Sequence, residues 1–406
     1  MTGKYRSLVP ALILLAASIW AAGCARFKIE ELKPVALFSV PIAMADDETA
    51  SPRTTIPAER AGRVVYNFPL RPYFNGSYTY LVDPPRRLIR VFDTAAGNLE
   101  KIILSARSPV PVPDGVERID LDLNFPGQVT GDEVGNLYIQ NFIASGNDDD
   151  SGLVNPPPEE RQPGALTTLS RPTAPSIILQ LDPDNRRTYT LYQNPAEREP
   201  FEEILRMDSG TDGRLFVLHG LTVEKRRKSR RYLVLSEYRG GILVARYGRR
   251  DWGTEDERDD YFVNPEDLVS EAGGRYVLAS VAFRERDTHR PVYRKIYRLS
   301  PRVIAGSLED EEDIPPAASE MVLETQNPED FFAWVRSDGG FYLMHPEADG
   351  SGVLFKIYDS AGQYINNQLI SFPGLRASWR ESYLTHAGRI YTTRLYRGKF
   401  EIYEWQ

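Results

Sequence analysis

Cysteine occurs once in this chain of 406 residues, as Cys24. No intrachain disulfide can form, and no cluster of thiolates can hold zinc. Histidine is nearly as scarce. His219, His289, His345 and His386 are the four, and none stands at H-x-x-x-H or H-x-x-E-H spacing, so the usual zinc motifs are excluded. We read these histidines as structural or surface residues. Basic charge is in the minority, with a net charge of −8. That argues against a nucleic-acid binder, which needs a basic face. Neither a G-x-S-x-G elbow nor a P-loop occurs. Long stretches of helical apolar periodicity are also missing.

The lone cysteine has a distinctive setting. Ser7 to Ala22 is almost wholly apolar and follows two cations, Lys4 and Arg6, the order of a secretory signal. The run is short of the roughly 20 residues a bilayer span needs, and it contains Pro10. It ends in Ala21-Ala22-Gly23-Cys24, which resembles the lipobox of bacterial lipoproteins. The resemblance implies cleavage before Cys24 and lipidation of Cys24, with two or three acyl chains and so a stable membrane anchor. Ala25 follows the cysteine, not Asp, which leaves the outer membrane as the expected location. Alternatives are an ordinary cleaved signal with a chance cysteine, or an uncleaved anchor. The expected organisation is a signal peptide over 1–23, a lipidated tether over 24–60 with a possible ring-closing strand, and one domain over 61–406.

Along that domain a theme recurs. An Asp/Gly turn precedes a short apolar-aromatic strand, and a second strand follows. Copies include Asp132-Glu133-Val134-Gly135-Asn136-Leu137-Tyr138-Ile139, Thr211-Asp212-Gly213-Arg214-Leu215-Phe216-Val217, Gly273-Gly274-Arg275-Tyr276-Val277-Leu278, Ser337-Asp338-Gly339-Gly340-Phe341-Tyr342-Leu343 and His386-Ala387-Gly388-Arg389-Ile390-Tyr391. Tyr78-Thr79-Tyr80-Leu81-Val82-Asp83 keeps the strand without the Gly turn. Tight hairpins need residues tolerant of positive φ, which Gly, Asn and Asp supply. Six copies at spacings of roughly 50–80 residues predict an all-β fold, a six-bladed β-propeller of four-stranded meanders. A seventh blade stays open if Arg118 to Asn124 forms part of one.

Pro126-Gly127, with Asp132, Gly135, Asn136, Leu137 and Tyr138 after it, resembles the first half of an NHL-type repeat. Arg87-Leu88-Ile89-Arg90-Val91-Phe92-Asp93 and Gly97 resemble the second half. That likeness implies a six-bladed propeller used as a binding scaffold. Propellers commonly close by pairing an N-terminal strand with the last blade. Val64-Val65-Tyr66 or Val35 to Val40 would do so against Tyr403 and its neighbours.

Two charge patterns carry candidate chemistry. Asn264-Pro265-Glu266-Asp267 and Asn327-Pro328-Glu329-Asp330 repeat, with Pro200-Phe201-Glu202-Glu203 as a looser copy. If they gather at one channel mouth, Glu202, Glu266 and Glu329 are candidate Ca²⁺ ligands. The simpler reading is turn chemistry with solvated acids, and no cofactor is then needed. The Asn/Asp ligand pattern of propeller lactonases is not recognisable. Lys225, Arg226, Arg227, Lys228, Arg230 and Arg231 form a compact cationic run between two strands. It is a candidate contact for an anionic partner or envelope component, or else a solvated loop. Asp148-Asp149-Asp150 and Glu309 to Asp313 read as flexible acidic insertions.

The leading functional expectation is a non-enzymatic, membrane-anchored propeller that binds a protein or other ligand in the bacterial envelope. The alternatives are a calcium-dependent envelope hydrolase of the lactonase-like propeller type and a surface-exposed adhesin.

Overall fold

The computed structural model describes residues 29–41, 54–55, 66–67, 72–74, 77–84, 87–106, 108, 110–132, 134–143, 175–182, 187–225, 228–249, 251–300, 302–303, 319–347, 351–371, 382–384, 389–396 and 399–406. Cys24 with the expected signal segment 1–23, Val64-Val65, Asp148 to Asp150, Arg226-Arg227, Glu309 to Asp313 and His386 lie outside them. Among the described residues no helix is long and apolar enough to cross a membrane.

Six sheets of four or five strands are arranged as a six-bladed β-propeller. Blade 1 runs from Pro72–Phe74 through Tyr78–Asp83 and Leu88–Asp93 to Leu99–Leu104. Blade 2 comprises Pro126–Gly131, Leu137–Phe142, Ser176–Asp182 and Arg187–Leu191. Blade 3 comprises Glu203–Ser209, Arg214–Lys225, Lys228–Arg239 and Ile242–Tyr247. Blade 4 comprises Tyr261–Ser270, Val277–Glu285, Pro291–Leu299 and Ser319–Thr325. Blade 5 comprises Phe331–Val335, Phe341–Pro346, Gly352–Tyr358 and Tyr364–Ser371. Blade 6 takes Ser382–Leu384, Ile390–Tyr396 and Lys399–Trp405 from the C-terminus and Pro34–Pro41 from the N-terminal region.

The ring therefore closes through Val35 to Val40, with Ala36 opposite Tyr403. Tyr66 instead pairs with Thr55 in a two-stranded ribbon. A stacked pair, Phe74 of blade 1 on Tyr391 of blade 6 at 4.5 Å between ring centroids, packs across the same seam. Glu117–Asp120 adds to blade 1 as a parallel fifth strand beside Leu99–Leu104. This accounts for the Arg118 segment without a seventh blade. Two other blades also gain a fifth strand. Arg302–Val303 joins blade 3, and Ile29–Leu32 joins blade 5 in parallel.

Large apolar and aromatic side chains fill the wedges between blades. Phe216 and Leu235 of blade 3 pack with Leu268, Val277 and Phe283 of blade 4. Tyr138 and Ile178 of blade 2 pack with Ile204, Met207 and Tyr238 of blade 3. No blade could bury these surfaces alone, so the sheets depend on one another.

The Asp/Gly turns also link successive blades. Among the described residues each joins the first two strands of its blade. Tyr138 donates its hydroxyl to the Gly213 carbonyl (3.3 Å), and the Thr211 N–H donates to the Ala272 carbonyl (2.8 Å). The Tyr276 ring lies against Gly339. Gly339 has φ +84° and a Cβ there would sit 2.8 Å from that ring. The position demands glycine for both conformation and space.

Candidate functional site

The first strands of blades 2, 3 and 4 contact one another directly. Gln128 donates to the carbonyl oxygens of Ile204 (3.3 Å) and Leu205 (3.1 Å). One blade on, Arg206 uses all three of its donor nitrogens. Nε donates to Asp208 Oδ2 (2.6 Å), Nη1 to Asp267 Oδ2 (2.8 Å) and Nη2 to the Leu268 carbonyl (2.6 Å). Burial works against the Arg206 charge, but Asp267 and Asp208 outweigh it and raise its pKa. Burial also pushes the Asp267 carboxyl up, against the pull of Arg206. The second Asp267 oxygen, Oδ1, is buried, and the Leu268 main chain next to it also favours the ionised form.

The two Asn-Pro-Glu-Asp copies do not occupy equivalent positions. Asn264 to Asp267 lies inside the strand Tyr261–Ser270, with a register shift between Pro265 and Asp267. A bulge is where a strand tolerates proline, which has no N–H for the ladder. Asn327 to Asp330 instead forms a turn ahead of Phe331, closed by the Asp330 N–H donating to the Asn327 carbonyl (3.2 Å).

Both copies are tied to cations. Arg284 donates to Glu266 Oε1 (2.6 Å), and Arg294 pairs with Glu266 Oε2. Arg294 is buried, and its Nε donates to the Pro328 carbonyl in the turn before the next blade (2.8 Å). Its guanidinium also lies 4.5 Å from the centroid of the Phe331 ring. Burial depresses its pKa, opposed by Glu266. Asp330, only 1% exposed, accepts from Lys356 Nζ with both oxygens at 2.8 Å and from Thr325 Oγ1 at 3.1 Å. His345 Nδ1 lies 3.1 Å from Asp330 Oδ1.

The expected gathering of Glu202, Glu266 and Glu329 is not seen. Among the described residues no group of three or more His, Cys, Asp or Glu side chains is placed to hold a metal ion. Glu202 is exposed and accepts from Thr222 Oγ1 (2.6 Å). Glu266 has a guanidinium on each oxygen. Glu329 is exposed on the turn, where its N–H donates to Asn327 Oδ1 (3.1 Å). Calcium takes six to eight oxygen ligands, and a carboxylate already covered by two arginines does not fit that role.

The cationic run falls at the end of the longest hairpin among the described residues. Strands Arg214–Lys225 and Lys228–Arg239 are 12 residues each. Their flanking partners stop early, at Glu203 opposite Gly220 on one side and Tyr247 opposite Leu235 on the other. Beyond those points the hairpin continues as a two-stranded ribbon, with Thr222 opposite Arg231, Val223 opposite Arg230 and Lys225 opposite Lys228. Arg226 and Arg227 lie outside the described residues.

Two carboxylates anchor the base of this ribbon. Glu202 holds Thr222, and Glu203 holds Arg231, whose cross-strand partner is Thr222. The Arg231 guanidinium lies over Gly220, where a Cβ would come within 2.6 Å of Nε. Arg231 is thus part of the clamp, which separates it from Lys225, Lys228 and Arg230 further out.

Beneath the ribbon sits His219, fully buried. Its Nδ1 faces the Gly220 carbonyl (3.1 Å), which can only accept, so Nδ1 carries the proton. Nε2 then accepts from the Ser236 hydroxyl (2.8 Å). Burial, with Arg246 nearby, pushes its pKa down to about 3.

Arg206, Arg294 and Lys356 were not among the sequence candidates. Their only mark in the sequence is a charge within an apolar strand or next to one. Alternation sets Arg294 on the same face as Val292 and Ile296 in Pro291–Leu299, but the carboxylate it meets, Glu266, lies in another strand.

No family model matches this chain, and no curated protein matches it. Solved structures with a similar trace include a gluconolactonase from Xanthomonas campestris, at 12% identity over 92% of this chain and 99% of that one, TM-score 0.39. Another is hydrazine synthase from Kuenenia stuttgartiensis, at 11% identity over 84% of each chain, TM-score 0.38. A third is an acylaminoacyl peptidase from Pyrococcus horikoshii, at 11% identity over 82% of this chain and 44% of that one, TM-score 0.40. Likeness at this level carries nothing about activity.

Proposed function

We propose that this chain is a non-enzymatic binding propeller, held in a bacterial envelope by a lipid on Cys24, which presents the blade 3 ribbon to an anionic partner. One contrast supports the reading. Asp208, Asp267, Glu266 and Asp330 are each matched to a cation inside the fold, whereas the run from Lys225 to Arg231 contains no acid. Like charges opposite one another weaken a ladder, and the register sets Lys225 opposite Lys228. An anionic surface would relieve that repulsion.

The test replaces Lys225, Arg226, Arg227, Lys228 and Arg230 with Gln, leaving Arg231 on Glu203. The variant should keep its denaturation midpoint but lose the envelope component captured by the wild type, and raised salt should mimic the loss. Capture of the same component by the variant removes the ribbon from the reading. Separately, Cys24→Ala should abolish palmitate labelling and release the protein from membranes.

A hydrolase at the channel mouth is the second reading. The observation on its side is Asp267, with a buried carboxyl oxygen and a pKa raised by burial. Hydrolytic activity on lactone or ester substrates that disappears in Asp267→Asn, with the fold intact, would favour it.

A further inference from the structure

The described structure begins at Ile29, already part of the body. Ile29 stands opposite Asn367 and Leu32 opposite Ile370, in a strand laid parallel along the outer edge of blade 5. The next residue is held as firmly. The Lys33 N–H donates to the Gln406 carbonyl (2.8 Å), and the Gln406 N–H donates back (3.0 Å). Pro34–Pro41 then completes blade 6. The long tether expected over 24–60 is therefore interrupted by thirteen residues, 29–41, fixed along the rim.

This shortens the leash. From Cys24 to Ile29 the chain reaches at most about 18 Å when fully extended. A lipid on Cys24 brings the outer corner of blade 5 within that distance of the headgroups, whatever path the linking residues take.

That corner also exposes apolar side chains, beside the exposed acids Glu30 and Glu31. Ile29 is 54% exposed and Ile365 is 48% exposed. Ile365 lies two residues before Asn367, the register partner of Ile29. Ile365 itself falls at a register shift, since Asn366 pairs with Ile357 and Tyr364 with Tyr358, so the strand bulges beside the end of Ile29–Leu32 and exposes Ile365 there. The linking sequence Ala25-Arg26-Phe27-Lys28 is basic and aromatic, suited to an anionic interface.

We propose that the Ile29–Ile365 corner of blade 5 is a membrane-contact surface, so that the propeller stands edge-on against the bilayer. The inference rests on the lipid-anchor reading above. It leaves the blade 3 ribbon two blades away from the contact, and blade 2 on the far side of the ring.

The experiment uses the full-length lipidated protein in vesicles of phosphatidylethanolamine and phosphatidylglycerol. Cys24 is the lone cysteine, so its acylation leaves no competing thiol. Ile365→Cys and, as a control in blade 2, Tyr189→Cys each carry a bimane label. Bilayer lipids bear a shallow quencher. Fluorescence at 365 should fall roughly twofold, since interfacial apolar residues sit about 5–10 Å deep, while that at 189 stays at its quencher-free level. A long Gly/Ser insertion between Lys28 and Ile29 should abolish the quenching at 365 without loss of flotation.

Flotation with equal, low quenching at both positions overturns the edge-on contact and leaves the anchor standing. Failure of the Cys24-intact protein to float overturns the anchor and this inference with it. Dimerisation of the Cys24→Ser protein that is lost in Ile365→Glu assigns the corner to a second copy and also overturns the proposal.

Discussion

The guanidinium of Arg294, in blade 4, donates to the backbone carbonyl of Pro328, in the turn that leads into blade 5, at 2.8 Å. The same buried side chain pairs with Glu266 in its own blade. One arginine thus joins the two Asn-Pro-Glu-Asp segments, satisfying a carboxylate from one and a main-chain oxygen from the other.

Replacing Arg294 with Met should therefore destabilise the propeller by about 3–5 kcal/mol, as expected when one member of a buried ion pair is removed. Arg294→Lys should recover only part of this, because an ammonium cannot reproduce the planar fork. Urea denaturation of the soluble domain measures both. A change below about 0.5 kcal/mol for Arg294→Met, the range of ordinary surface substitutions, would show that the bridge contributes nothing to stability.

His219 makes stability depend on acidity. Its folded pKa is about 3, while in the unfolded chain it is about 6.5. Below that value the unfolded chain binds a proton that the fold refuses, so stability is full above pH 6.5 and falls as pH drops towards 3. The loss between pH 7 and pH 5 should be about 2 kcal/mol from this residue. His219→Gln should flatten that limb, read as the difference in denaturation midpoints at the two pH values. An unchanged slope would assign the acid sensitivity elsewhere.

Glu257 acts over a lower range. It caps the short helix Glu255–Asp260 through the Thr254 N–H (2.8 Å) and accepts from Tyr293 (3.0 Å) and Lys295. Burial opposes its ionisation, but these partners hold its pKa at about 2. Its contribution is present above the ordinary carboxylate range and is lost as pH falls towards 2. Glu257→Gln should speed amide exchange through the helix at pH 7, and the difference from wild type should shrink at acid pH. Equal exchange at pH 7 would mean the helix is held by other contacts.

Gly339→Ala should cost about 1–3 kcal/mol for the left-handed backbone and more for the clash with Tyr276. Shrinking the neighbour should recover the steric part alone, so the Tyr276→Ala background is informative. There the added cost of Gly339→Ala should drop to the backbone share, measured as a double-mutant cycle. Additive costs would separate the turn from the neighbouring blade.

Much of the architecture was legible because it is local. Asp/Gly turns and short aromatic strands recur in the sequence at blade spacing, and the hairpin geometry they impose needs no distant partner. Even the closing strand, Val35 to Val40, was visible as an isolated β-prone run. The candidate site was far less legible. Glu266 and Glu329 occupy the same place in identical tetrapeptides, yet one is locked between Arg284 and Arg294 and the other is exposed on a turn. Their difference comes from a bulge in one strand and from which cations the neighbouring strands bring near. Neither is encoded within the four letters.

The sequence by itself determined the all-β class, the recurrence of a turn-and-strand repeat, the lack of disulfides and the cationic run between two strands. It also marked Cys24 as the candidate anchor. Only the tertiary structure decided that Glu202 and Glu203 clamp the ribbon and that Arg206 and Arg294 bridge blades. Ring closure likewise decided that Ile29–Leu32 binds the rim instead of extending the tether. These are pairings between residues far apart in the chain. Their energies depend on burial and geometry that arise only when the ring closes.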